Sequence, residues 1–233
     1  DGWEGTWQES HYKHPSSTEY LTLVTSILEQ QGRNLKFLDV GTCEGLYVIH
    51  MVRREGIGVG VDLNKKFVEK AQRLSKKFGV NKNTHFIVAS GSALTFQDSK
   101  FDASLMAETL EHIDKIKRPS SVREGITVAN QMAILVVPTF KWGKHFKLVD
   151  RIHASFPQND KRALVKKNCL GIKKIYAVNI APIPLQIKKH LPELITQFQL
   201  FIDFSIGKVF PFNFLGCNTV LVCIPEHNVK FKG

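Results

Sequence analysis

The sequence has no uninterrupted run of about 18 apolar residues, the length at which an apolar segment can cross a membrane as a helix. A membrane span is therefore not expected. Cysteine is also scarce. The four thiols, at positions 43, 169, 217 and 223, include no CxxC pair and are too few for disulfide bonds to stabilise a chain of 233 residues. This pattern predicts reduced thiols and a cytoplasmic location. The first residues show no basic head followed by an apolar stretch, so no secretory signal is expected, and the start at Asp1 leaves the native N-terminus open.

Acidic residues are scarce in one part of the chain, and this determines where the charge lies. The formal net charge is +11, and between Lys141 and His190 twelve lysines and arginines are opposed by two aspartates. A basic protein can carry such a segment as a solvated face. An anionic partner is the other interpretation, and the candidates are a phosphorylated substrate, RNA and an anionic membrane surface.

Hydrophobic residues make up 43% of the chain and charged residues 23%, which excludes global disorder and is enough for one full core. Short apolar runs alternate with helical periodicity. The predicted strands are 35–40, 58–62, 85–89, 101–107, 132–138, 172–180 and 218–224, and the predicted helices are 16–32, 46–54, 65–78, 121–130 and 184–204. This alternation is typical of an α/β fold, here a Rossmann-like doubly wound, mostly parallel seven-stranded sheet with helices on both faces.

A glycine-containing loop, Asp39-Val40-Gly41-Thr42-Cys43-Glu44-Gly45, joins the first predicted strand to the next helix. Glycine lets the backbone pass close beneath a ligand, and the start of the helix offers free N–H groups. Asp62 ends the second predicted strand, where its carboxylate can accept hydrogen bonds from both hydroxyls of a ribose. Together these features predict a nucleoside-containing cofactor across the top of the sheet.

Two common nucleotide-binding motifs do not fit this loop. The dinucleotide fingerprint G-x-G-x-x-G needs glycine at three positions, where the chain has Gly41, Cys43 and Leu46, so NAD is disfavoured. The phosphate-binding P-loop, which ends in Lys-Ser/Thr, is absent as well.

Four segments of the chain are similar to motifs of one known family. Asp39-x-Gly41-x-Cys43-x-Gly45 resembles (D/E)-x-G-x-G-x-G, motif I of the class I S-adenosylmethionine-dependent methyltransferases. Residues 60–63 resemble the acidic motif of the family's second strand, residues 89–102 resemble its GDAExLPFPDxSFD stretch, and residues 107–113 resemble NEVLEHV. These motifs follow the family's order over residues 35–140. The resemblance is strongest to the small-molecule, quinone-pathway-like "methyltransferase type 11" branch.

The resemblance implies S-adenosyl-L-methionine as the cofactor, S-adenosyl-L-homocysteine as its product, and ten cofactor contacts. These are Gly41, Thr42, Cys43 and Gly45 beneath the methionine part, Asp39 beside them in motif I, Asp62 at the ribose, Leu63, Ser90 and Gly91 at the adenine, and Ala107 near the sulfonium. Two contacts depart from the family pattern, since Cys43 replaces a glycine and Ser90 replaces an aspartate. Asp39 and Asp62 have a simpler interpretation as caps of a turn and a helix.

Methyl transfer from a sulfonium is an in-line displacement, for which the protein supplies alignment, exclusion of water and, for a poorly acidic substrate, a base. Glu108, Glu111 and His112 follow the fourth predicted strand, and on a helix starting there they would share a face. Three interpretations stay open: a capping cluster, a general base at His112 or Glu111, and a divalent-metal site with His145 as a further ligand. No metal ligand is assigned.

The predicted function is methyl transfer to a small lipophilic or anionic metabolite, within one methyltransferase domain over 1–233. The domain comprises an N-terminal lid and helix (1–34), a cofactor-binding core (35–140), a basic and Phe-rich elaboration on the substrate side (141–216), and a last strand and tail (217–233). The elaboration suits an apolar substrate with an anionic head, a peripheral membrane contact or stacked RNA. An RNA methyltransferase and a catalytically silent binding module are the alternatives.

Overall fold

The computed structural model of the chain describes residues 19–138, 171–178 and 218–225. The predicted lid, His145, the predicted helix over 184–204 and most of the basic and Phe-rich elaboration lie outside these residues. Within these three ranges, no helix combines the length and the apolar character needed to cross a membrane. The assignment of the chain to one domain with four segments stays a prediction.

A mostly parallel sheet forms the centre of the described structure. Its strands are β1 (Lys36–Val40), β2 (Ile57–Asp62), β3 (Thr84–Val88), β4 (Phe101–Ala107), β5 (Ala129–Pro138), β6 (Gly171–Val178) and β7 (Asn218–Ile224). They are ordered β3-β2-β1-β4-β5-β7-β6, and β1 to β5 pair in parallel, whereas β7 runs antiparallel to β5 and β6. The strand order changes direction between β1 and β4, the point at which open α/β sheets bind ligands. The α/β fold class predicted from the sequence is confirmed.

In the described ranges, four α-helices and one short 3-10 helix accompany the strands. The α-helices are α1 (Glu19–Glu29), α2 (Leu46–Val52), α3 (Lys65–Lys77) and α4 (Arg118–Thr127), and the 3-10 helix spans Leu110–His112. Asn64 caps α3, because its side-chain oxygen accepts a hydrogen bond from Lys66 N at 3.0 Å. The predicted helix over 121–130 is displaced: α4 begins earlier, with Pro119 in its first turn, and Asn130 already belongs to β5.

Two hydrophobic clusters pack against opposite faces of the sheet. Along β1, Phe37 belongs to one cluster and Leu38 to the other, and Ile134 and Leu135 divide in the same way along β5. This alternation is the two-residue period of a strand that is buried on both faces. Helices α1, α2 and α3 contribute to the first cluster, and α4 contributes to the second through Val122. Helices therefore cover both faces, as predicted.

Candidate active site

A cavity of about 890 Å³ lies beyond the carboxyl ends of β1, β2 and β4. The loops that follow these strands supply most of its walls. Among the residues predicted to contact a cofactor or to act in catalysis, the cavity is lined by Asp39, Gly41, Thr42, Cys43, Asp62, Leu63, Gly91, Ala107, Glu111 and His112. The structure thus brings together all the predicted site residues except Gly45 and Ser90.

The loop after β1 is held by hydrogen bonds to the end of β2. Gly41 N donates to Val61 O at 2.8 Å, and Cys43 N donates to Asp62 Oδ2 at 2.9 Å. Gly41 has a φ of +77°, and a Cβ at this position would collide with the Thr109 side chain. Glycine is therefore required here, and its backbone forms part of the cavity floor.

Cys43 stands where the family pattern has a glycine, and its backbone adopts the conformation that glycine would favour, with a φ of +51°. Burial, followed by the charges of Asp62 and Glu44, raises the pKa of its thiol to about 12. The thiol is therefore protonated at neutral pH and is a poor nucleophile. Cys43 acts here as a small side chain tolerated in a strained loop.

Asp62 fixes the loop and faces the same cavity. Its Oδ1 accepts a hydrogen bond from Asn64 N at 2.8 Å, and its Oδ2 accepts the bond from Cys43 N. A carboxylate has about four acceptor positions, so two remain for ligand hydroxyls. The capping interpretation and the ribose interpretation are compatible at this residue.

Asp39 is buried at the end of β1 and accepts a hydrogen bond from Thr42 Oγ1 at 2.9 Å. Burial raises the pKa of its carboxyl from 3.8 to about 7, against the opposing effect of the Thr42 hydrogen bond and with a further contribution from the charge of Asp62. A cationic ligand group in the cavity would favour the ionised form.

On the side where the adenine was predicted, Leu63 is 71% exposed and Gly91 lines the cavity. The Ser90 hydroxyl is engaged in its own turn, at 2.9 Å from Ser92 Oγ, and it also accepts a hydrogen bond from Ser92 N at 3.3 Å. Contact between Ser90 and a ligand stays a prediction.

Gly45 has a role in packing. It precedes α2 with a φ of +81°, and a Cβ at this position would lie 2.7 Å from the ring of Phe86. The absence of a side chain lets α2 begin close to β3.

Thr109, which no sequence motif singles out, connects the ends of β1 and β4. Its hydroxyl lies 3.0 Å from Val40 O and 3.1 Å from Ala107 O. All three residues line the cavity. The Thr109 side chain therefore fixes the separation of the two strand ends.

The acidic cluster after β4 differs from the predicted helix. Glu108 has a φ of +50° and precedes the 3-10 helix, so Glu108, Glu111 and His112 do not share a helical face. Glu111 is buried, whereas His112 is exposed, and both line the cavity. Among the described residues there is no group of three or more histidine, cysteine, aspartate or glutamate side chains suited to a metal, and His145 lies outside them. A catalytic role for His112 or Glu111 stays a prediction.

Tyr47 is a further residue of the cavity lining that no sequence motif singles out. It lies in the first turn of α2 with 7% of its surface exposed, and its Oη has no hydrogen-bond partner in the described part of the chain. Burial, followed by the charges of Glu108 and Asp39, raises its pKa well above the usual value. The one signal in the sequence was its position, two residues after the glycine loop.

An ion pair between a buried glutamate and a partly exposed lysine joins the loop to α3. Glu44 is fully buried, and its Oε1 lies 2.6 Å from Lys70 Nζ. The loop between β1 and α2 is thus held by β2 on one side and by α3 on the other.

Comparisons with known proteins agree with this geometry. The sequence model of a family described as a methyltransferase domain matches residues 37–131. The chain is 31% identical to norajmaline N-methyltransferase of Rauvolfia serpentina over 134 residues, which are 57% of this chain and 43% of that protein. The chain therefore matches less than half the length of that curated relative.

Two solved structures illustrate the likeness in fold. The PH0226 protein of Pyrococcus horikoshii OT3 has a TM-score of 0.64 at 16% identity, and the match covers 94% of this chain and 100% of that one. A SAM dependent methyltransferase from Aquifex aeolicus has a TM-score of 0.58 at 14% identity, covering 94% of this chain and 98% of that one.

Proposed function

The chain belongs to the class I S-adenosylmethionine-dependent methyltransferases, and from this premise we propose that it transfers the methyl group of S-adenosylmethionine to a small lipophilic or anionic metabolite. The observation that carries the proposal is the cavity at the change in strand order, which gathers the motif residues around one space. Its volume of about 890 Å³ lies within the range of small-molecule sites.

The residues of the cavity fit the cofactor chemically. Asp62 has acceptor positions left for the ribose hydroxyls, and exposed Leu63 offers an apolar surface to the adenine. The glycine conformation at Gly41 leaves room above the loop for the methionine part, and Ala107 presents a small side chain where the sulfonium would lie. When bound, the cofactor supplies a methyl group on a sulfonium, which is a good leaving group.

The chain's own contribution to the chemistry is alignment and proton transfer. The strand ends fix the ligand's position, and partly apolar walls exclude water. We infer that His112, exposed at the cavity rim, takes the proton of the methyl acceptor, with the buried Glu111 beside it in sequence.

A cavity of about 890 Å³ has the size of a small-molecule site, which favours a small-molecule substrate. The RNA alternative depended on the basic segment between residues 141 and 190, of which only 171–178 are described. No described residue supports contact with RNA or a membrane surface. The cytoplasmic location stays a prediction that depends on the reduced thiols.

Calorimetry with S-adenosylhomocysteine tests the cofactor. The wild-type chain is expected to bind it, and Asp62→Asn to bind it about tenfold more weakly or worse, because the variant loses a charged acceptor. Asp98→Asn, at an exposed aspartate outside the cavity, is the matched control and should bind as the wild type does. Absence of binding to the wild type would support a catalytically silent module instead.

A transfer assay tests the substrate class. Cofactor with a labelled methyl group is incubated with the chain and with separate pools of small metabolites and RNA. The label is expected in the metabolite fraction. Label in RNA alone would contradict the small-molecule proposal and leave the methyltransferase activity intact.

A further inference from the structure

Arg118, the first residue of α4, holds the chain segment that carries His112. Its Nε donates a hydrogen bond to Ile113 O at 2.9 Å, and its Nη2 donates one to Glu111 O at 3.1 Å. These two carbonyl oxygens belong to the residues directly before and after His112. Because the planar guanidinium presents its N–H groups in a fixed fork, one side chain fixes the backbone on both sides of the imidazole.

A turn at Asp114 brings Arg118 back to this segment. Asp114 O accepts hydrogen bonds from Lys117 N at 2.9 Å and from Arg118 N at 3.1 Å, and Asp114 Oδ1 accepts one from Ile116 N at 3.0 Å. Arg118 is only 6% exposed, whereas most arginines lie at the surface. A buried guanidinium is costly unless its N–H groups are hydrogen-bonded, so the two bonds restrict where the side chain can lie.

The segment that Arg118 holds forms part of the cavity wall. Glu111, His112 and Ile113 all line the cavity, whereas Arg118 is not among the lining residues. His112 is exposed, so packing restricts its side chain less than it restricts the buried Glu111. The position of the imidazole therefore depends strongly on its own backbone. Arg118 can influence the site through that backbone without touching a ligand.

We propose that Arg118 is a positioning residue of the methyltransferase. By holding the carbonyl groups on both sides of His112, it keeps the imidazole at the cavity rim, where the imidazole takes the proton of the methyl acceptor. This inference depends on the proposed function, because it assigns a support to the base named there. Alignment of this kind affects the rate strongly, since a misplacement of about 1 Å can cost about a hundredfold.

Three variants separate positioning from a general contribution to stability. Arg118→Met keeps most of the length of the side chain and removes both hydrogen bonds. Arg118→Lys keeps the charge, but a single ammonium group lacks the fork and is expected to hold one carbonyl oxygen at a time. Arg123→Met is the matched control, at an exposed arginine of the same helix.

NMR of ring-labelled histidine tests the position of the imidazole without a substrate. The His112 signal is assigned by its absence from His112→Ala. Arg118→Met is expected to change the chemical shift of this signal and to leave the signals of His50 and His85 unchanged. Arg118→Lys should cause a smaller change in the His112 signal, and Arg123→Met should cause none.

Two NMR results would overturn the inference. An unchanged His112 signal in Arg118→Met would mean that the guanidinium does not determine where the imidazole lies. Similar changes in the signals of His50, His85 and His112 would mean that Arg118 supports the fold as a whole. If Arg118→Met does not fold, the same signals in Arg118→Lys decide between these results.

The rate of methyl transfer connects this position with the chemistry. With labelled cofactor and the pool of small metabolites, His112→Ala should be about a hundredfold slower than the wild type, and Arg118→Met about tenfold slower. Because Arg118 acts through His112, Arg118→Met should have no further effect when His112 is already alanine. The affinity of Arg118→Met for S-adenosylhomocysteine, measured by calorimetry, should equal that of the wild type.

The rates distinguish failure of this inference from failure of the proposed function. A wild-type rate in Arg118→Met, or an equal further loss in the His112→Ala background, would overturn the positioning role and leave the base in place. Weaker binding of S-adenosylhomocysteine to Arg118→Met would also overturn it, because the effect would then not be confined to His112. A wild-type rate in His112→Ala would refute the proposed base, and the positioning role would fail with it.

Discussion

Asp39 lies at the end of β1 with 2% of its surface exposed and accepts a hydrogen bond from the Thr42 hydroxyl. Loss of hydration disfavours the carboxylate more than this bond favours it, and the pKa rises to about 7. The folded chain therefore holds a proton at this residue over a pH range in which the unfolded chain has lost it. The protonation of Asp39 therefore affects both the stability of the fold and the charge that the cavity presents to a ligand.

The raised pKa of Asp39 makes the free energy of unfolding depend on pH. Between pH 3.8 and about 7 the folded state binds more protons than the unfolded state, so the free energy of unfolding falls as pH rises. Asp39→Asn keeps an acceptor for Thr42 and removes this titration. From pH 5 to pH 8 the wild type should lose up to about 3 kcal/mol relative to the variant, measured by urea unfolding. Parallel profiles for the two proteins would contradict the raised pKa.

At the scale of elements, the loop between β1 and α2 depends on its neighbours for its shape. Cys43 adopts a left-handed conformation, which costs a side chain of this kind about 1 kcal/mol or more. The backbone bonds to β2 and the Glu44–Lys70 ion pair to α3 hold the loop in this state. Helix α3 therefore contributes to the cavity although only its edge lines it, at Phe67.

Removal of the cation tests this link. Lys70→Met leaves the fully buried Glu44 without its 2.6 Å partner and should lower the free energy of unfolding by about 1–3 kcal/mol. The double variant Glu44→Gln/Lys70→Met should recover part of this loss in urea unfolding.

Lys65→Met provides the control on the same helix. Its 3.8 Å pair with Glu69 joins side chains that are 79% and 49% exposed, so little change is expected. Equal losses for Lys65→Met and Lys70→Met would show that the burial of Glu44 does not make its ion pair more important than the exposed one.

The bounds of a helix or strand were predictable where its apolar residues begin and end together with the element itself. β4 and β7 have the predicted bounds because each is an apolar run with clear ends. The helix before β5 was misplaced because Val128 and Ala129 continue its apolar pattern although α4 ends at Thr127. The turn at Glu108 escaped prediction because its left-handed backbone depends on contacts with β5, including the bond from Glu108 N to Val136 O at 2.9 Å.

The site was predictable in its backbone and less so in its side chains. Gly41 and Asp62 follow from the need for close approach and for an acceptor at a strand end, which local sequence expresses. The position of Tyr47 in the cavity lining could not be predicted from the sequence. Every residue from Leu46 to Val52 is buried, so the helical pattern alone cannot show which one reaches a cavity. Gly45 does not line the cavity. The absence of a side chain there makes room for the Phe86 ring, and this contact could not be predicted because it forms only in the folded sheet.

For the whole molecule, the cavity lies where two groups of elements meet. β2, β3 and α3 extend from one side of β1, and β4, β5 and α4 extend from the other. A ligand that contacts both Asp62 and Ala107 bridges these groups. Binding should therefore stabilise the fold as a unit and not only the loop.

A thermal shift measures this coupling. S-adenosylhomocysteine at one hundred times its Kd should stabilise the wild type by about 2.7 kcal/mol, which corresponds to a rise in Tm of about 5–10 °C. Gly41→Ala places a Cβ against the Thr109 side chain and should lose most of this rise. Gly79→Ala is a control in open surroundings with a similar φ of +71°, and it should keep the rise. Equal shifts in both variants would argue against a ligand above Gly41.

The Thr109 hydroxyl carries one hydrogen and lies within bonding distance of two carbonyl oxygens, those of Val40 and Ala107. It can donate to only one of them at a time. The other carbonyl oxygen can then accept a hydrogen bond from a different donor. This oxygen belongs either to Val40 or to Ala107, depending on which bond Thr109 makes. Rotation of the Thr109 hydroxyl about its C–O bond therefore decides whether the oxygen of Val40 or that of Ala107 is left to accept a hydrogen bond from another donor.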